Sequence, residues 1–60
     1  MFLELTAKTV NQKWAINIKS IAFFYPYNNG TRICFIGDDT PLDVKEDYET
    51  VKRTINKARL

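Results

Sequence analysis

The side chains able to do covalent or acid–base chemistry are few in this sequence. The chain has no histidine and one cysteine, Cys34. A thiol nucleophile needs a base within hydrogen-bond reach, and imidazole is the usual one. Without histidine, acid–base work near neutral pH loses its ordinary carrier, and one cysteine cannot build a zinc site. Cys34 therefore reads as a small packing or interface residue. Asp38, Asp39 and Asp43 place three carboxylates close together. Hard cations take such clusters, but the spacing is not that of a calcium loop, and a solvated turn after Gly37 is the simpler reading. Gly30 and Gly37 stand alone and make no phosphate loop. These residues predict a protein that is not an enzyme and holds neither cofactor nor metal.

What remains is the chemistry of binding. Phe23, Phe24, Tyr25 and Tyr27 crowd one stretch, with Lys19 before it and Arg32 after it. Aromatic rings can stack on bases while basic side chains take phosphates. Lys19, Tyr25, Tyr27 and Arg32 are accordingly candidate ligand contacts. The competing reading is that aromatics at alternate strand positions are core. Net charge is +2 and unevenly spread. Residues 1–37 hold Lys8, Lys13, Lys19 and Arg32 against Glu4. Residues 38–49 hold six acids against Lys45, and residues 50–60 hold Lys52, Arg53, Lys57 and Arg59 with no acid. An acidic start and a basic end suit a helix dipole; a basic patch for nucleic acid is the sharper alternative.

Residue periodicity supplies the elements that must position these groups. Leu3, Leu5 and Ala7 alternate with Glu4, Thr6 and Lys8, which predicts a half-buried first strand. Asn11 marks a turn, and Lys13–Ile18 alternates again with Trp14, Ile16 and Ile18 on one face. The stretch 21–36 is the strongest hairpin signal: two apolar runs flank Asn28-Asn29-Gly30, residues that accept positive φ at low cost. Strict alternation puts Ile21, Phe23 and Tyr25 on one face of its first strand, and Ile33 and Phe35 on one face of its second. Pro26 has no ladder donor and predicts a strand end or sheet edge. A short fifth strand over 42–45 follows the Gly37-Asp38-Asp39 turn. Tyr48, Val51, Ile55 and Ala58 then recur at helical spacing behind Asp47, a plausible N-cap, with Glu46 as the other register. The expected class is α+β: an antiparallel β-meander of four to five strands, then one C-terminal helix packed on the sheet face that carries Trp14, Ile16, Phe23, Ile33 and Phe35.

The order of these features resembles the FlbD-type flagellar and swarming-motility accessory proteins, and similar small bacterial and phage proteins of unassigned function. The likeness rests on Ile16-Asn17-Ile18-Lys19-Ser20-Ile21, on Pro26-Tyr27-Asn28-Asn29-Gly30-Thr31-Arg32-Ile33, and on Val44-Lys45-Glu46-Asp47-Tyr48-Glu49-Thr50-Val51. It covers nearly the whole chain through turns, core positions and a helix start. The resemblance implies the same fold and an accessory, non-enzymatic role, in a phage or prophage setting as readily as a flagellar one.

At 60 residues the chain is one domain, 1–60, and its core is marginal. One cysteine rules out an internal disulfide, which leaves packing and self-association. Phe2, Ala22, Phe24, Cys34 and Ile36 fall on the strand faces opposite the expected core. They are candidate interface residues, because exposed apolar patches mark contact surfaces. The expectation is a homo-oligomer, a symmetric dimer or small ring, that regulates another protein by binding it. The alternative is a sheet that binds nucleic acid or a small anionic nucleotide, including an oligomer that sequesters one. No stretch nears the ~20 apolar residues of a membrane span. A single free thiol and an N-terminus without a basic leader predict the cytoplasm.

Overall fold

The first turns set the frame. Asn11 adopts φ 55° between the first two strands, and Asn28 and Asn29 adopt 51° and 65° between the third and fourth. Two consecutive residues at positive φ make a two-residue turn whose twist matches that of the flanking strands. The structure is a computed structural model and describes residues 1–58; Arg59, counted above in the basic stretch, lies outside the described residues. It consists of β1 (Phe2–Ala7), β2 (Gln12–Asn17), a 3-10 turn (Ile18–Ser20), β3 (Ile21–Tyr27), β4 (Gly30–Phe35), β5 (Leu42–Val44) and α1 (Tyr48–Ala58). All strand pairs are antiparallel, and α1 packs on the sheet against β1 and β4. The expected α+β architecture is therefore the one observed. No helix among the described residues is long and apolar enough to cross a membrane.

Strand order departs from a simple meander. The sequence across the sheet is β2-β1-β5-β4-β3, so β5 sits in the middle and β2 and β3 are the two edges. A flat sheet of five strands would hold those edges ~19 Å apart, at ~4.8 Å per step. Yet only the 3-10 turn joins them, and at ~2 Å rise it spans about 8 Å from Asn17 to Ile21. β2 and β3 run in the same direction, so the end of β2 and the start of β3 also lie at opposite ends of a flat sheet, and the sheet must twist and curl until they meet. Backbone bonds fix the curl: Ile18 N–H donates to the Met1 carbonyl at 3.1 Å, and Ile36 N–H donates to Ser20 at 2.8 Å.

Inside the curl lies the core. Leu3 and Leu5 of β1, Ile16 of β2, Ile18 and Ile21 around the 3-10 turn, Ile33 of β4 and Val44 of β5 meet Val51 and Ile55 of α1. Phe24, Phe35, Leu42 and Ala58 pack against this cluster. Two expected core residues are placed differently. The pairing shifts between Ile21 and Phe23, since Ile21 faces Phe35 while Phe23 faces Cys34. Ala22 is the extra residue of a β-bulge, which reverses the facing of everything after it. Phe23 and Tyr25 thus point away from the core, Phe23 with 58% of its surface exposed, and Phe24 points in. Trp14 keeps the core side, opposite Leu5, but lies beyond the reach of α1 and is 45% exposed.

Two contacts seat β5 and the helix. Glu46 accepts the Thr6 N–H at 2.9 and 3.1 Å and the Thr6 hydroxyl at 2.9 Å, continuing the β1 ladder where β5 has ended. The buried Thr31 hydroxyl donates to the Glu46 carbonyl at 2.8 Å. Asp47 opens α1: its carbonyl takes the Val51 N–H at 3.0 Å and its carboxylate takes the Thr50 hydroxyl. That last bond holds the Asp47 carboxyl below its ordinary range.

Gly30 is not the positive-φ residue of its turn, contrary to the sequence reading; Gly37 has that geometry, at φ 73°. Gly30 is required for closeness instead. A Cβ there would stand 2.2 Å from the Val44 carbonyl oxygen, whereas one at Gly37 would meet nothing within 4 Å. Gly30→Ala is expected to cost about 2–3 kcal/mol by forcing β4 from β5, and Gly37→Ala about 1 kcal/mol through backbone strain alone. Urea denaturation ranks the two; a Gly37→Ala loss equal to or above that of Gly30→Ala removes the close-approach account.

Candidate functional site

Two surfaces carry the side chains that could act. The first is the outer face of β3, β4 and β5. The Ala22 bulge turns Phe23, Tyr25 and Tyr27 outward at alternate positions, and they form a file of rings. Phe23 and Tyr25 lie nearly parallel with centroids 6.2 Å apart, and Tyr25 meets Tyr27 edge-on at 6.4 Å. Arg32 stands opposite Tyr25 on β4, with its guanidinium 3.7 Å from the centre of the Tyr27 ring. Such a contact joins cation–π attraction to planar stacking.

Arg32 is also held from the other side. Asp43, its cross-strand partner on β5, accepts Nε at 2.7 Å and a terminal nitrogen at 3.0 Å in a two-pronged pair. The pair lowers the Asp43 carboxyl and raises the Arg32 guanidinium from their ordinary values; in each case the shared hydrogen bonds are the main cause and partial burial opposes it. Lys8 lies on the same face, and its ammonium reaches the Asn28 carbonyl. The face therefore offers flat rings and fixed dipoles, with its arginine charge already balanced.

The second surface is a cleft of about 770 Å³ at the open side of the curl. Trp14, Ala15, Ile16 and Asn17 form one wall, and Phe35, Ile36 and the loop through Leu42 form the other. Ala7 and Val10 are apolar lining, and Asp38, Thr40 and Ser20 are polar. Ile36 is 67% exposed at the rim. No lysine or arginine among the described residues lines this cleft.

The structure gathers some of the anticipated residues and disperses others. Tyr25, Tyr27 and Arg32 come together, whereas Lys19 lies apart, exposed on the 3-10 turn, its N–H bonded to Asn17 Oδ1 at 3.1 Å. The five interface candidates do not form one patch. Phe2 is on the outer face of β1, Ala22 occupies the bulge, and Cys34 is outward beside Phe23. Phe24 faces the core and touches Tyr48, with rings 5.5 Å apart. Ile36 follows β4 and borders the cleft. Sequence reasoning missed Phe23 as a surface ring and Trp14 as a cleft wall. Period-two alternation alone carries no sign of a bulge, although small Ala22 between bulky neighbours is the residue best able to occupy one.

No family model, curated protein or solved structure matches this chain.

The Arg32–Asp43 pair fixes a pH dependence. Asp43 has its folded value depressed, so its stabilisation is complete above the unfolded carboxyl value of about 3.9 and is lost as pH falls through the lower folded value. Asp43→Asn should therefore destabilise the fold at pH 7 and lose that disadvantage in strong acid. Denaturant midpoints of both proteins measured down the acid range check this; a difference that stays constant removes the pair from the acid response.

Proposed function

We propose that this chain is a non-enzymatic accessory or regulatory protein of the cytoplasm. It acts by binding protein surfaces, copies of itself included, in the manner its resemblance to bacterial and phage accessory proteins implies. The observation that carries the reading is the distribution of apolar surface. Phe23, Tyr25 and Tyr27 on the outer face, and Trp14, Val10 and Ile36 about the cleft, stay exposed, and among the described residues α1 covers neither place. Exposed apolar groups gathered this way mark interaction surfaces. Aromatic rings in particular supply large contact area at interface centres.

The ring file also favours a second reading, a platform for unpaired bases or a small nucleotide. Against it stands the charge arrangement: Asp43 balances Arg32, and Lys8 is engaged with a backbone carbonyl. Salt separates the two. Phosphate-driven binding falls steeply as salt rises, while apolar contact does not.

Two measurements test the leading reading. Light scattering over a concentration series should show self-association that Phe23→Lys abolishes while changing monomer stability by no more than about 0.5 kcal/mol, because the side chain is exposed. Phe24→Lys should instead unfold the chain. Mass spectrometry of the protein purified from its host should find retained protein that persists in high salt. A monomer at high micromolar concentration that retains only nucleic acid or nucleotides overturns the reading.

A further inference from the structure

The two sheet edges are not equivalent. Tyr27 and Gly30 close the β3–β4 hairpin as a hydrogen-bonded pair. Bonded and non-bonded pairs alternate along antiparallel strands, so Pro26 lies at a position that faces the free side of β3. A proline there blunts the edge at no cost to the sheet. β2 has no such guard. Thr6 of β1 and Lys8 just beyond it give their backbone groups to the β5 side, through Lys45 N–H to Thr6 O at 3.0 Å and Lys8 N–H to Asp43 O at 2.8 Å. Leu3, Leu5 and Ala7 therefore serve β2. The backbone groups of Lys13, Ala15 and Asn17 are left aimed outward from the sheet.

Two of those residues, Ala15 and Asn17, border the cleft. Four consecutive residues, Trp14–Asn17, line it. Side chains that alternate between two faces cannot all line a space on one face, so the cleft runs along the edge of β2 itself. Its far wall, the end of β4 and the 36–41 loop, closes the other side. The space has the form of a missing strand in a curled sheet: walled on both sides, floored by apolar residues, and beside unpaired backbone groups. A second copy of this chain would bring its own β1 attached to β2, and a slot walled on both sides admits a single strand.

We propose that the cleft takes one extended peptide segment of another protein, added to β2 as a sixth strand. This deepens the protein-binding reading above and rests on it. Backbone bonds from the peptide pair with Ala15 and Asn17, and alternate apolar side chains enter beside Trp14 and Ile36. Charge specifies the rest. Asp38 stands on the far wall with no salt-bridge partner among the described residues, and no described cation lines the cleft. The segment is therefore apolar at alternate positions, with one lysine or arginine set toward Asp38.

The probe is a capped six-residue peptide of alternating leucine and lysine, titrated to millimolar concentration against the full chain and followed by NMR. Binding should shift the Trp14 indole and slow amide exchange at Ala15. Backbone N-methylation of the peptide should weaken binding at least tenfold, as should Ala15→Pro; the modified peptide keeps the test sound where that variant fails to fold. A glutamate version of the peptide should bind less well, with the preference reversed in Asp38→Lys. Tyr25→Ala should leave all of this unchanged. Shifts confined to Phe23, Tyr25 and Tyr27 overturn the site while leaving a protein-binding role standing. Ala15 protection that rises with protein concentration alone assigns the edge to a second copy and overturns the peptide. No shift anywhere overturns the site, and together with a host-purified protein that retains no protein partner it overturns the broader reading as well.

Discussion

A three-residue connection governs this molecule. Ile18–Ser20 must carry the chain from one edge of a five-stranded sheet to the other. No flat sheet permits that, so the sheet curls, and the curl creates an inside that one 11-residue helix can nearly fill. The turn itself contributes Ile18 to the core and anchors both sides through its bonds to Met1 and Ile36. No described residue of α1 lines the cleft beside Trp14, and there the curl stays open. Fold and candidate site thus share one geometric cause.

Much of the architecture was legible because it depends on local pattern. Alternation at Leu3, Leu5 and Ala7, the paired asparagines at 28 and 29, and the Val51–Ile55 spacing each act within a few residues, and each named the element that forms. Strand order was not legible in the same way. That β5 inserts between β1 and β4 depends on contacts such as Thr6 with Glu46, 40 residues apart. No period or turn residue encodes such a partner. Gly30 illustrates the limit: its place beside a turn was plain, but its reason, the nearness of the Val44 carbonyl, belongs to the third dimension.

The candidate surfaces turn on a single inserted residue. Without the bulge at Ala22, Phe23 and Tyr25 would share the face of Ile21, and Phe24 would lie outside. With it, one strand gives Ile21 and Phe24 to the core and a file of three rings to the exterior. Tyr25, Tyr27 and Arg32 were identified as a group from residue type and proximity, and they do assemble, since hairpin pairing is short-range. Lys19 was grouped with them on sequence distance, and the 3-10 turn carries it elsewhere. The Asp43 partner of Arg32 comes from the central strand, whose position only the full topology fixes.

The central place of β5 also bears on how the chain is made. A hairpin such as β1–β2 closes in about 1–10 μs, while a ribosome adds only about 5–20 residues per second. β1 is translated first, yet the backbone groups on its far side wait for Asp43, Lys45 and Glu46. While residues 18–46 are being added, about 1–6 s at that rate, β1 has no β5 to pair with, and its open side can meet any other chain nearby. Synthesis rate, rather than the speed of any folding step, sets the length of that exposure.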